Sequence, residues 1–224
     1  MKNISIVFAL LACSSFSQVH AQQVSSPCNN YEHTLETMRN ADQALRQRIG
    51  ELSRVSKQDD EKIRKVTGHI ILVDRINTAK LVSLVKECGW PRPKIHGEKA
   101  ADHAWLLAQH ADMNQSAQRM FLKHLRKAVD DGYSPAYTYA FLADRVALNE
   151  GKPQRYGTQV ENKTQCDLVI VPLDDPIKAD ARRKTIGWPP MKDYVILLTE
   201  HLKKNGCDTP QVAIGTELPA RLYR

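Results

Sequence analysis

Histidine, aspartate, arginine and glutamine gather in three short runs of this chain, "WLLAQHAD", "FLADRV" and "GKPQRYGTQ". In the first, His110 stands between Gln109 and Asp112. Imidazole titrates near neutral pH, so His110 is the candidate general base or acid. Asp112 lies at the end of a predicted helix, where the dipole disfavours an acid. A salt bridge to a buried cation would account for it, and so would an Asx-type turn in "DMNQ". His103 lies on the same helix face as His110, two turns earlier. That spacing is about 10 Å along the axis, whereas the ligands of one zinc usually sit three or four residues apart. No metal site is expected from His103, His110 and Asp112.

In "FLADRV", Asp144 and Arg145 interrupt an apolar run. A charged pair in a core-facing helix is costly unless partnered. Adjacent residues point about 100° apart, so each must find its partner elsewhere. Asp144 or Asp112 could orient His110 for proton transfer; the competing reading is a structural hydrogen-bond network. The third run, Gly151 to Gln159, is polar in a mostly helical chain. It is either a turn with its own hydrogen bonds or the lip of a site. Thr158 reads as a turn hydroxyl rather than a nucleophile. Gly-x-Ser-x-Gly and P-loop patterns do not occur, and no cofactor is expected.

The elements that must position these residues are mostly helices. Tyr31, Leu35, Met38, Leu45, Ile49 and Leu52 form a narrow helical seam, broken where Asp42 takes an apolar position. Residues 61–88 continue helical, with Asn77-Thr78 marking a break and a new N-cap. These segments predict an antiparallel hairpin; a coiled-coil dimer is the alternative. Asp42 counts against a tight dimer seam. "CGWPRPKIHGE" separates the hairpin from further helices over 98–112, 115–131 and 135–150. Alternating residues around "ENKT" predict a β-hairpin near 156–173. Two more helices follow, over "DDPIKADARRKTIG" and "PPMKDYVILLTEHLKKNG". The tail after Cys207 has no clear pattern. The expected fold is mainly α: a helical hairpin (28–88) packed on a helical bundle (within 95–204), with one small β-hairpin, all in a single domain over 22–224.

The first 21 residues read as an export signal, with Lys2, an apolar run and "VHA" before the cleavage point. The alternative is a lipoprotein box, "LLAC", with a lipid anchor at Cys13. Either route leaves Cys28, Cys88, Cys166 and Cys207 in an oxidising compartment, so two disulfides are expected. Cys28 with Cys88 and Cys166 with Cys207 respects the layout. The expected location is periplasmic or secreted, with membrane anchoring through Cys13 as the alternative. The formal net charge is +7, but basic residues are dispersed and interleaved with acids. That argues against nucleic acid as a partner. No transmembrane helix is expected, because the leading apolar run is too short.

"GWP", "AWLLAQHAD" with Gln118 downstream, "FLADRV", "EGKPQRYGTQ" and "PLDDP" occur in this order. The ordered set resembles the bacterial family catalogued as domain of unknown function 6624, from about Asp42 to about Tyr194. The resemblance implies that Gln109, His110, Asp112 and Gln118 recur, with Asp144, Arg145, Gln154, Tyr156, Gly157, Thr158 and Gln159. His103 matches no recurrent position. It implies no activity.

Two functions are therefore expected to compete. In one, an exported hydrolase or transferase of envelope material uses His110 for acid–base work, with Asp144 or Asp112 as its orienter. Gln109, Gln118, Arg145, Gln154, Tyr156, Thr158 and Gln159 then hold a small molecule or envelope component. In the other, a non-catalytic binding, inhibitor or accessory protein, monomer or homodimer, uses the same residues as a buried network.

Overall fold

The computed structural model describes residues 26–55 and 60–218. The predicted leader over 1–21 and Cys13 lie outside the described residues. Among those described, eight α-helices and a small three-stranded sheet form.

Helix α1 (Tyr31–Val55) and helix α2 (Asp60–Cys88) lie against each other as the expected hairpin. Tyr31, Leu35 and Met38 are buried, and the buried stripe continues into Asp42, one turn on. The Cys28–Cys88 disulfide and the bond from Tyr31 Oη to the Gly89 carbonyl (3.0 Å) join the two ends of the hairpin. The expected break at Asn77-Thr78 does not occur: α2 runs through it. Instead of capping its own backbone, buried Asn77 donates through Nδ2 across the hairpin to the Met38 carbonyl at 3.2 Å.

A short turn of helix, α3 (Pro93–His96), leads into α4 (Ala100–Gln109), α5 (Gln115–Asp130) and α6 (Ala136–Asn149). The main core is shared by α1, α2, α4, α5 and α6, through Leu35, Leu81, Leu107, Phe121, Leu125 and Leu142. Asn114 caps α5, its side chain accepting from Ala117 N at 3.0 Å. The Asx role in "DMNQ" thus falls to Asn114 and leaves Asp112 free for another partner.

The predicted hairpin is β1 (Val160–Asn162) against β2 (Asp167–Ile170), antiparallel, with Val160 opposite Ile170. Helices α7 (Pro176–Thr185) and α8 (Met191–Lys204) follow. The unpatterned tail then returns as β3 (Gln211–Ile214), which pairs parallel to β2. A two-stranded hairpin is marginal alone. Here β3, the Cys166–Cys207 disulfide and two small apolar clusters fasten it to α7 and α8, around Leu168 with Leu202 and Ile170 with Met191. No helix among the described residues is long and apolar enough to cross a membrane.

Candidate functional site

Asp42, the break in the α1 seam, is the carboxylate that meets His110. Its Oδ1 lies 2.8 Å from His110 Nδ1, and its side chain is almost fully buried. An ionised carboxylate only accepts, so Nδ1 carries the proton and Nε2 presents its lone pair. Arg46 sits one helical turn beyond Asp42. Its Nε lies 3.1 Å from both Asp42 Oδ1 and His110 Nδ1. With Nδ1 protonated, the Nε hydrogen goes to the carboxylate, which has lone pairs enough for two donors. Arg46 Nη2 meanwhile reaches both oxygens of Asp74 on α2, at 2.8 and 2.9 Å. Gln43 Nε2 donates to the second Asp42 oxygen at 2.7 Å.

Burial pushes the His110 imidazole below its ordinary value, with the Arg46 and Arg145 charges adding to it; Asp42 pulls upward and is outweighed. Burial alone would raise the Asp42 carboxyl, but the hydrogen bond and charge of His110, with Gln43 and Arg46, hold it at about 2. Neutral pH therefore finds an ionised Asp42 beside a neutral imidazole, the state a general base requires. Asp74 goes the other way: burial lifts it to about 6 against the pull of Arg46, with the neighbouring Asp42 charge adding to the rise.

Asp42, Asp74 and His110 each offer one donor atom within 4.8 Å of the others, a set of a kind that could hold a metal ion. The guanidinium of Arg46 touches all three, so the cation gathered by this set is the arginine.

Asp112 takes the buried-cation route foreseen for it. Arg145 Nε donates to its Oδ1 at 2.9 Å and Nη2 to its Oδ2 at 2.5 Å. Asn149 Nδ2 (2.7 Å) and Gln118 Nε2 (3.0 Å) add two more donors. Burial opposes its ionisation, but Arg145, Asn149 and Gln118 together hold the carboxyl below its usual range. Arg145 Nη1 also reaches Gln159 Oε1 at 3.3 Å, tying this pair to the loop. Gln109 is buried; with its amide oxygen turned inward it accepts from Trp105 Nε1 and Leu142 N.

Asp144 does not orient His110. It is fully buried and accepts from Arg155 N (2.7 Å), Tyr156 N (3.0 Å), Thr158 N (3.0 Å) and Thr158 Oγ1 (2.9 Å). Burial raises its carboxyl despite these donors. Thr158 is thus a turn hydroxyl held by a carboxylate. Gln154 is equally buried, and its side-chain amide stands in for a strand neighbour. It accepts from Gln159 N (2.8 Å) and donates to the carbonyls of Gln159 (3.0 Å) and Val171 (2.5 Å).

Arg183 closes the loop from the other side. Its guanidinium is wholly buried between the Trp188 and Tyr194 rings, 5.1 and 4.6 Å from their centroids. Nη1 donates to Tyr156 O at 2.6 Å and Nε to Pro189 O at 2.6 Å. Gly157 turns between these anchors with φ +69, and a Cβ there would come within 2.8 Å of Met191 Sδ. Both the left-handed backbone and the close approach require glycine.

The structure thus sorts the residues singled out in the sequence into three groups, the second and third linked through Arg145 and Gln159. His110 joins Asp42, Arg46 and Asp74; Asp112 joins Arg145, Gln118 and Asn149; Asp144 joins Thr158 and the loop backbone, which Gln154 braces from its other side. Sequence reasoning missed Arg46, Asp74 and Arg183. Arg46 had a signal: it lies at i+4 from the one acid in the apolar seam.

The model of a family of unknown function, DUF6624, matches residues 29–204, and the chain belongs to this family. The match extends beyond the span of about 42–194 that the motifs suggested, and it takes in all of α1 and α8. No curated protein and no solved structure shows significant similarity to the chain.

Proposed function

We propose that this is an exported acid–base enzyme, a hydrolase or transferase acting on an anionic component of the bacterial envelope. His110 is the general base and Asp42 the residue that fixes its tautomer. The observation that carries the reading is the 2.8 Å contact between His110 Nδ1 and Asp42 Oδ1, on a ring whose side chain keeps 16% exposure. A neutral imidazole held in this way takes a proton at Nε2 from water or from a substrate hydroxyl, and returns it to the leaving group. The charge of Arg145 adds to the lowering of the imidazole, while its guanidinium is held by the Asp112 carboxylate. The two disulfides support a periplasmic or secreted location.

The test compares wild-type protein with His110→Asn on muropeptides and on anionic phospholipid vesicles, with products followed by mass spectrometry. Turnover by the wild type that disappears in a folded His110→Asn protein supports the reading. Turnover retained in the variant removes His110 from the chemistry.

One observation favours a second reading, a non-catalytic binding or accessory protein. Asp144, Gln154 and Thr158 are all buried and mutually satisfied, as a structural network should be. Under this reading the wild type turns over neither material, and His110→Asn alters only stability.

A further inference from the structure

Between α2 and the turn from α4 into α5 lies a cavity of about 360 Å³, lined by Arg75, Thr78, Ala79, Met113 and Asn114. Ligand pockets span roughly 300–1,000 Å³, so this one takes a head group rather than a whole substrate. Two of its residues tie it to His110. Met113 follows His110 by three positions. Thr78 stands one helical turn beyond Asp74, whose carboxylate is held by the same Arg46 guanidinium that lies 3.1 Å from His110 Nδ1.

Three polar groups of its wall have donors to offer. Thr78 is only 5% exposed. Thr37, Thr67, Ser83 and Thr199 turn their hydroxyls to the carbonyl four residues back, at 2.8 to 3.3 Å. Thr78 makes no such bond, and its hydroxyl has no other partner among the described residues. A hydroxyl this deep normally has one. Its Oγ1 is not sealed in: it keeps accessible surface, and Thr78 opens on this cavity. Arg75 likewise has no ion pair or hydrogen bond among the described residues. Asn114 Oδ1 is engaged in capping α5, which leaves the Nδ2 hydrogens to donate. The same cap sets the positive end of the α5 dipole at this wall, and the first turn of α5 carries no acid. No acid lines the cavity among the described residues. The neighbouring carboxylates, Asp74 and Asp112, are taken up by Arg46 and Arg145.

We propose that this cavity binds a phosphate group, the anchor of the substrate on which His110 works. The Arg75 fork takes two of its oxygens, and Thr78 Oγ1 and Asn114 Nδ2 donate to the rest. Met113, 51% exposed, covers the apolar part next to it. So many donors suit the three strong acceptor oxygens of a phosphate better than the two of a carboxylate. The role as substrate anchor rests on the acid–base reading; the binding of phosphate does not.

Titration of the purified protein with inorganic phosphate, glycerol 3-phosphate, acetate and glycerol, followed by calorimetry and amide NMR, tests the proposal. Saturable binding of both phosphates is expected, tighter for the ester, with shifts at residues 75–79 and 113–117. A preference for inorganic phosphate would assign the site to the free ion and overturn its role as substrate anchor. Arg75→Gln is expected to weaken binding about tenfold or more, and Thr78→Val about two- to tenfold, as for charged and neutral hydrogen bonds. The Thr78 hydroxyl has no bond to lose, so ligand-free Thr78→Val should melt no lower than wild type. His110→Asn should keep the affinity. Phosphate binding without turnover of any material upholds the site while the acid–base reading fails; turnover without phosphate binding does the reverse. The proposal is overturned if neither phosphate binds at millimolar concentration. It is equally overturned if acetate or glycerol binds as well as the phosphates, or if Arg75→Gln and Thr78→Val both bind like wild type.

Discussion

Asp144 and Arg145 are consecutive on α6 but hold different parts of the molecule. Asp144 grips the backbone of residues 155–158, while Arg145 grips Asp112. The helix turns about 100° between them, so one side chain points to the loop and the other to Asp112. Their substitutions should therefore fail differently. Asp144→Ala strands three loop N–H groups in a buried setting, and should cost about 3 kcal/mol or more in chemical denaturation. It should also release amide protection across 155–159. An Asp144→Ala protein as stable as wild type would remove the scaffold role.

The imidazole of His110 should titrate below 6.5, since burial and two arginines disfavour its charged form. NMR titration of the ring protons measures this directly, whatever the reaction. Asp42→Asn removes the group that raises it, so the value should fall further. If turnover is found, the acid limb of kcat/KM should follow the same value. Asp42→Asn should then lower the rate by roughly a hundredfold or more, the scale of a lost acid–base contribution. A ring titrating above 6.5 would contradict the arrangement.

Asp74 gives a stability signature of opposite sign to Asp42. Its carboxyl is lifted from 3.8 to about 6, so the folded state binds the extra proton. That stabilisation is complete below pH 3.8 and is lost as pH rises through about 6. Asp42 is held at about 2, so its stabilisation is present above 3.8 and is lost as pH falls toward about 2. Thermal melts of Asp74→Asn should be flatter than wild type between pH 4 and 6.5. Equal slopes in the two proteins would contradict the raised carboxyl.

Removing the Cys28–Cys88 disulfide opens a loop of 60 residues, and the chain-entropy argument puts its worth at about 4 kcal/mol. Cys28→Ser with Cys88→Ser should lower the denaturation midpoint accordingly, and a reductant, which also cuts Cys166–Cys207, should lower that of the wild type at least as far. Little change from either would mean that the hairpin needs no covalent closure.

What the sequence disclosed depended on how local each signal was. The helices follow from apolar spacing, and the β-hairpin from alternation around "ENKT". Asp42 was visible as a charge in an apolar seam, yet its partner His110 is 68 positions away and no local pattern joins them. β3 was missed because "QVAI" is four residues long, and its pairing comes from a strand beyond two intervening helices. Arg183 was hidden in "ARRK", where a base in the last helical turn is already explained by the dipole. Asn77 read as a cap because its type favours caps; the reach to the Met38 carbonyl exists only once the hairpin has formed.

The "GKPQRYGTQ" loop is clasped by Asp144 from upstream and by Arg183 from downstream. Synthesis runs from the N-terminus, so Asp42, His110 and the core helices emerge well before Arg183. The Asp42–His110 contact can form while the loop still lacks its second clasp. Gln159, which joins the loop to Arg145, would then settle only in the last stage of maturation. A chain interrupted before α7 would carry His110 and Asp42 on an unfinished rim.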